Sequence, residues 1–410
     1  MKRVTYTELP ALTTGWLALM GSLLAVVAVA LGSVLYMEHE GHWVTGMTNQ
    51  VVWGMPHVFA IFLIVAASGA LNVASIGSVF GREPYQPLGR LSGLLAMALL
   101  AGGLAVLVLD LGRPDRLAVA MTHFNFKSIF AWNVILYSGF FAVVGFYLWA
   151  MMDWKMKGAY KGAALAAFVW RLILTTGTGS IFGFLVARDA YNSAVMAPLF
   201  IAMSFAFGLA AFILVVMGAY AGSGRPVAPD LVTRMGRLLG LFCAANLYFV
   251  AVQHLTALYM AERTGVEAFI LAGGGLYTVL FWGVQVALGG LVPMSIVFSK
   301  GATRCSVRFA AILVMIGGLA QVYVILIGGQ AFPLTLFPGM EVSSSFQDGQ
   351  VSAYAPSLPE VLLGLGGFAI TLLITVVGAT FLRILPDSLA AEQPFFRTPG
   401  TRRPTIWGRS

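Results

Sequence analysis

The sequence predicts an all-α integral membrane protein of about ten transmembrane helices. Three observations carry that expectation. Of the 410 residues, 59% are hydrophobic and only 10% charged, and mean hydropathy is +0.88, whereas soluble domains are about 25% charged. The apolar residues gather into runs of about 20 or more, the length that crosses a bilayer's hydrocarbon core. The 47 glycines suit close approach between membrane helices.

Taken in order, the predicted spans are 14–37, 54–80, 88–111, 127–151, 162–187, 196–220, 236–260, 267–298, 306–329 and 359–383. The first follows Met1-Lys2-Arg3, but its apolar run is too long for a signal-peptide core, so it reads as an uncleaved helix. The second, Val52–Ser75, carries a polar stripe: at 100° per residue from His57, Ser68 falls at about 20°, Asn72 at about 60° and Ser75 near 0°. The third ends in LDLGRPDRL, where glycine and proline stop the helix. Lys127 opens the fourth span, and Lys155, Lys157 and Lys161 separate it from the fifth. Arg225, Arg234 and Arg237 divide the sixth from the seventh. The eighth holds Gly273-Gly274-Gly275, Gly289-Gly290 and Pro293, and Arg304 and Arg308 open the ninth. The connection before the tenth, about Gln330 to Leu358, is the longest, a length that suits covering a site or docking a partner.

Lysine and arginine set the orientation. With the N-terminus inside, 18 of the 24 fall in cytoplasmic loops and tails, and 5 (Arg113, Arg116, Lys127, Arg188, Arg263) fall outside. Both termini are then cytoplasmic. The net charge of +8 follows from this bias, so no nucleic-acid partner is implied. The partner it implies is membrane lipid. Two cysteines, Cys243 and Cys305, cannot build an iron–sulfur cluster or a zinc site, and no metal site is expected. A transmembrane haem needs two facing histidines, and only His57 and His254 lie within spans, so no haem is expected.

Few residues could carry chemistry. His57 lies about one turn inside the outer end of the second span. It either exchanges a proton and hydrogen bond with a quinone carbonyl or is an interfacial histidine capped by a backbone carbonyl. Asp110 sits at the same outer depth and either pairs with that histidine, carrying a proton, or pairs with Arg113 or Arg116. Arg171 lies roughly 13 Å inside the fifth span. With Thr175 and Thr178 it makes a polar face, which reads either as part of a hydrated proton path or as an arginine snorkelling to the surface. Asn133, Tyr137, Asn246, Gln253, Gln285 and Gln321 read mainly as interhelical hydrogen-bonding groups. The outer loop from Glu38 to Val51 holds Glu38, His39, Glu40, His42 and Trp43 with no lysine or arginine.

Several stretches resemble the NrfD/PsrC family of quinone-interacting membrane subunits. These are Trp53-Gly54-x-Pro56-His57 at a helix start, LDLGRPDRL at Leu109–Leu117, FKSIFAWNVILYSGFF at Phe126–Phe141, and Tyr191-Asn192-Ser193 with the following APLFIAMSFAFGLA. The likeness covers about residues 50–330, and the extra helix at each end resembles the ten-helix branch, most of all the DsrP-type subunits of sulfur metabolism. The resemblance implies two four-helix bundles, helices 2–5 and 6–9. That divides the sequence into 1–53, the extra helix and outer loop; 54–190, the first bundle with the quinone site; 191–330, the second bundle; and 331–410, the outer loop, last helix and cytoplasmic tail. It implies menaquinone or ubiquinone bound as substrate near the outer face, with Trp53, His57 and Asp110 at the site. Tyr191 is the candidate for the family's quinone-side tyrosine, Tyr137 lying nearer the membrane centre. A proton path through Asn72, Arg171, Thr175 and Thr178 would serve the same site.

The resemblance further implies a periplasmic ferredoxin-like iron–sulfur subunit and cytochrome subunits as partners, in the cytoplasmic (inner) membrane of a bacterium. Such a protein holds no haem or iron–sulfur cluster of its own and does not act alone. A secondary transporter or ion channel is the alternative, with Gly273-Gly274-Gly275, Gly289-Gly290 and Pro293 breaking helices around a midplane site. A purely structural anchor is the third reading.

Overall fold

The computed structural model describes residues 4–334, 340 and 349–389. Most of the long connection before the last helix lies outside the described residues, as do the terminal charges Lys2, Arg3, Arg397, Arg402, Arg403 and Arg409. Among the described residues ten helices are long and apolar enough to cross a membrane. They are α1 (Thr14–Glu40), α2 (Met55–Ser78), α3 (Gly89–Leu109), α4 (Ile129–Met152), α5 (Tyr160–Gly183), α6 (Met196–Gly222), α7 (Pro229–Tyr259), α8 (Leu276–Phe298), α9 (Arg304–Ala331) and α10 (Leu358–Phe381). The protein is all-α and multi-pass.

Contacts between the helices form two closed circuits. α2 packs on α3, α3 on α4, α4 on α5, and α5 returns to α2. In the same way α6 packs on α7, α7 on α8, α8 on α9, and α9 returns to α6. The circuits meet where α2 lies against α6. There Gly69 faces the Ser204 carbonyl and Gly208 faces the Gly69 backbone, so a Cβ on either glycine would overlap main-chain atoms of its neighbour. This explains why α2 is the most enclosed helix, with its residues from Phe62 to Val73 almost all buried. α1 and α10 pack on each other, and α10 also lies on α3 and α2.

Helix ends follow their local chemistry. α2 starts after an extended Gly54, with Pro56 in its first turn, where a missing N–H costs no hydrogen bond. α10 starts with a reciprocal capping box between Ser357 and Glu360. The span expected over 267–298 is two helices. A short one, Thr264–Leu271, stops at the glycine triplet, where Gly274 has φ +69°, and α8 begins after it. Gly289, Gly290 and Pro293 do not interrupt α8: its Leu280–Leu291 stretch winds as a π-helix and continues as α-helix through Phe298. Of the breaks that the transporter reading requires, the one at the glycine triplet is therefore found, and those at Gly289-Gly290 and Pro293 are not.

Tyr6–Thr7 pairs antiparallel with Leu385–Pro386, joining the segment before α1 to the one after α10. Both therefore lie on one side of the helices, the side opposite His57 and Asp110. We call the His57 side the site face.

Candidate functional site

The first turn of α2 is held by residues distant in sequence. Gln330, at the end of α9, accepts from the Val52 and Trp53 amides through Oε1 (3.0 Å each) and donates to the Trp53 carbonyl through Nε2 (3.1 Å). The Met55 amide donates to the Tyr354 hydroxyl (2.6 Å), which donates to Glu360 Oε1 (2.7 Å). These contacts satisfy amides that a helix start leaves without partners. Burial and the neighbouring Glu360 carboxylate push the Tyr354 phenol well above its usual range, so it stays a donor. Arg188 clamps the same corner, donating to the carbonyls of Gln330 (2.8 Å) and Gln50 (2.6 Å).

On that fixed turn, Trp53 stacks on His57 with ring centroids 6.5 Å apart. His57 Nδ1 lies 3.0 Å from Asp110 Oδ2. Asp110 caps the end of α3, and its side chain is only 1% exposed. The rival pairing with Arg113 or Arg116 does not form, because Arg113 turns to Asp115 at 3.2 Å. That contact, exposed to solvent, raises the guanidinium's affinity for its proton and lowers the Asp115 carboxyl from its ordinary range. On its other side Asp110 Oδ1 lies 4.0 Å from His42 Nε2. The His57 approach to Asp110 is out of hydrogen-bonding alignment and His42 stands beyond hydrogen-bond distance, so His42 Nε2, His57 Nδ1 and both carboxylate oxygens keep unused capacity.

His42 lies on the site face, in the connection between α1 and α2, yet no motif distinguishes it from His39. Its place depends on α10. Glu360 Oε2 accepts from the Gly46 amide (2.8 Å) and the Ser357 amide (2.7 Å), drawing the His42–Val51 loop over the end of α3.

A cavity of about 430 Å³ opens beside His57, between α2, α3, α4 and α5. This is within the roughly 300–1,000 Å³ of small-molecule sites. Its walls are aliphatic and aromatic, with Trp53, His57, Asn133, Tyr137, Ser138 and Thr178 as the polar or amphipathic groups. Leu111 and Phe130, two of its lining residues, are 49% and 47% exposed, so the cavity is flanked by apolar side chains on the protein surface. Asn133 donates both amide hydrogens, to the Ile129 (2.9 Å) and Gly177 (3.1 Å) carbonyls. That fixes the orientation of its amide and leaves Oδ1 as an acceptor without a partner.

The predicted tyrosine is elsewhere. Tyr191 is fully buried under Phe182, its hydroxyl donates to the Leu326 carbonyl (2.8 Å), and it does not line the cavity. Burial raises its phenol well above the ordinary range. The tyrosine on the cavity wall is Tyr137, in hydrogen-bonding reach of Thr178. Tyr191 lies in the connection between α5 and α6 and Tyr137 within α4, so the direction of each ring is set by packing and not by its depth in the sequence.

Arg171 does not snorkel. It is 1% exposed, donates to Asn72 Oδ1 (3.1 Å) and lies between the rings of Phe168 and Phe205, 5.0 Å from each. Thr175 Oγ1 donates to Ser68 Oγ (2.5 Å), which donates to the Arg171 carbonyl (3.1 Å). Thr175, Ser68, Arg171 and Asn72 are thus linked by hydrogen bonds, while Thr178, three residues further along α5, donates to the Leu174 carbonyl (3.0 Å) and lies on the cavity wall. Three of the four predicted residues are joined through Ser68, and Thr178 stands beside the cavity without a direct bond to them.

His254 does not approach His57. It pairs with Glu267 at 2.7 Å. Among the described residues no group of three histidine, cysteine or acidic side chains is placed to hold a metal ion.

A polytopic membrane protein with a largely apolar cavity beside a histidine that touches a buried carboxylate is thus defined by its own geometry. The chain belongs to the NrfD family: the family description "Polysulphide reductase, NrfD" matches residues 43–334. Over 375 residues it is 28% identical to the Hdr-like menaquinol oxidoreductase integral membrane subunit of Archaeoglobus fulgidus, covering 90% of this sequence and 94% of that one. It is 27% identical to a putative dimethyl sulfoxide reductase membrane subunit of Halobacterium salinarum, over 98% of each sequence. A polysulfide reductase chain of Wolinella succinogenes is 25% identical over 69% of this sequence and 96% of its own.

Proposed function

We propose that this protein is the quinone-handling membrane subunit of an oxidoreductase complex, exchanging electrons between the membrane quinone pool and an iron–sulfur partner docked on the site face. The carrying observation is the cavity beside His57, flanked by apolar side chains on the protein surface. A hydrophobic redox carrier can enter it sideways from the bilayer, and its polar wall matches a quinone oxygen. The names of the relatives, as membrane subunits of menaquinol, dimethyl sulfoxide and polysulfide oxidoreductases, support the same class. Menaquinone and ubiquinone both fit this chemistry. Cytochrome subunits of the same complex, the DsrP-like branch, and the division into a site-bearing 54–190 and a second bundle at 191–330 belong to the proposal. So does the orientation, with both termini cytoplasmic and the site face outward, which the distribution of lysine and arginine supports.

A hydroquinone supplies two electrons and two protons on oxidation. The residues here manage the protons. With Nδ1 on the Asp110 side, 3.0 Å from the carboxylate and free to align with it when a proton moves, His57 has Nε2 left for a ligand oxygen. Asn133 Oδ1 and the Tyr137 hydroxyl supply further contacts, the first as acceptor only. Asp110, held between two imidazoles, passes a proton from His57 toward His42 and the outer water, or the reverse when quinone is reduced. The direct test is purification of the complex in mild detergent followed by extraction of its lipid-soluble carriers. One quinone per protein is expected, and a quinone-free preparation that also fails to bind added quinol would overturn the proposal.

The track of Asn72, Arg171, Ser68, Thr175 and Thr178 is proposed as the inward end of the proton route. Replacing Arg171→Gln removes the only charge in it while preserving a hydrogen-bonding head. In vesicles we expect quinol binding to be kept and the proton-to-electron ratio to fall to that of a non-translocating enzyme. A ratio equal to wild type would remove the track from the mechanism.

A further inference from the structure

Helices α7, α8 and α9 contain a second set of buried polar groups, which the proposed quinone chemistry does not use. His254, on α7 about 8 Å inside its outer end, touches Glu267 Oε2 through Nδ1 at 2.7 Å. Glu267, on the short Thr264–Leu271 helix, is buried. Its only ion-pair partner among the described residues is His254. Arg188 and Arg263 on neighbouring segments are committed to the carbonyls of Gln330, Gln50 and Asn192. One helical turn of α7 and more separates this pair from Asn246, which exchanges two hydrogen bonds with Gln321 of α9 (2.7 and 3.1 Å).

Between the two pairs lies Gln285, on the π-helical stretch of α8. Its Oε1 is buried and has no hydrogen-bond partner. Gln285 and Gln321 line both of two small polar chambers, of about 30 and 10 Å³. The larger is also walled by Gln253, His254 and Glu267, the smaller by Asn246. A water molecule needs roughly 10–15 Å³ of such space and two to four polar partners. An unpaired amide oxygen at membrane depth is costly, and ionisable side chains there normally face a hydrated or functional interior. A π-helical segment, which turns its side chains out of the α-helical register, recurs at such sites.

We propose that Glu267 and His254 form a second proton site, reached from the site face and continued by water through Gln285 to the Asn246–Gln321 pair. Asn246 lies about 20 Å inside the end of α7, close to mid-membrane. The track is therefore a half-channel: it takes protons between the outer water and the membrane interior, separately from His57 and Asp110. The step is an exchange of one proton between water and the Glu267 carboxylate, with no electron moved. It requires neither quinone nor a partner subunit, so its test stands apart from the quinone reading.

The measurement is infrared difference spectroscopy on the protein in potassium-buffered liposomes, with pH changed on the outside. The expected result is a carboxylic-acid C=O band that is absent in Glu267→Gln, retained at a shifted position in Glu267→Asp, and displaced within seconds on transfer to D2O. Asp110 and Glu360 remain in all three proteins, and an unchanged amide band reports that the fold survives. A spectrum in which Glu267→Gln loses no band, or a Glu267 band that exchanges only over hours, would make the pair a sealed structural contact and overturn the proposal. Suppression of the band by Na⁺ but not K⁺ would overturn the proton assignment in favour of a sodium site.

Discussion

His57→Ala, in the assembled complex, is expected to lower quinol turnover by about 10²- to 10⁴-fold, the range that a positioned acid–base group contributes. Assembly should be unaffected, because the start of α2 is held through main-chain bonds from Gln330 and Tyr354, not through the imidazole. His42→Ala is the informative companion. It removes the outer neighbour of Asp110 without touching the cavity wall. Its turnover should fall by about tenfold, with quinol affinity unchanged and partial recovery on adding free imidazole. Full activity in His42→Ala with a dead His57→Ala would remove His42 from the relay and leave the quinone site standing. Full activity in both would reject the site itself.

Glu360→Ala is expected to destabilise the protein by about 3 kcal/mol or more. Its carboxyl accepts from the Gly46 amide, the Ser357 amide and the Tyr354 hydroxyl, and its side chain is fully buried. Truncation leaves these donors facing a gap, and each unsatisfied buried donor costs about 1–3 kcal/mol. The Tyr354 hydroxyl and the Gly46 loop hold the Trp53–His57 turn and the His42 segment, so quinol turnover should fall together with thermal stability. Glu360→Gln keeps an acceptor oxygen and should lose less of both. Thermal unfolding in detergent beside a turnover assay separates the outcomes. An unchanged melting temperature in Glu360→Ala would mean that the loop is held by other contacts.

The parts of this protein that were legible in the sequence are those fixed by solvent preference along the chain. Ten runs of apolar residues can only be spans, and where the runs stop, the charged and helix-breaking residues show it. The common depth of His57 and Asp110 was legible, because each lies at the same end of its span; that Asp110 meets His57, and not Arg113 or Arg116, was decided by the packing of α2 on α3. The inward direction of Arg171 was half legible: its threonines mark a polar face, but the choice between snorkelling and burial belongs to the neighbouring helix that supplies Asn72.

What only the tertiary structure decided depends on helix rotation and on contacts between residues hundreds of positions apart. The position of a tyrosine along the sequence does not say which way its ring points: Tyr191, between α5 and α6, turns its hydroxyl to the Leu326 carbonyl, whereas Tyr137 of α4 lies on the cavity wall. His42 acquires a role only because α10 carries Glu360 to the loop, and Gln330 becomes the clamp of Trp53 across 277 positions of sequence. The predicted eighth span contained the glycine triplet, but that a helix ends there, with Gly274 at φ +69°, was seen only in the structure. Hydrophobicity determines which segments enter the membrane, because that cost is paid residue by residue. Their rotation and pairing follow from shape and hydrogen bonding between segments, which no single stretch of sequence contains.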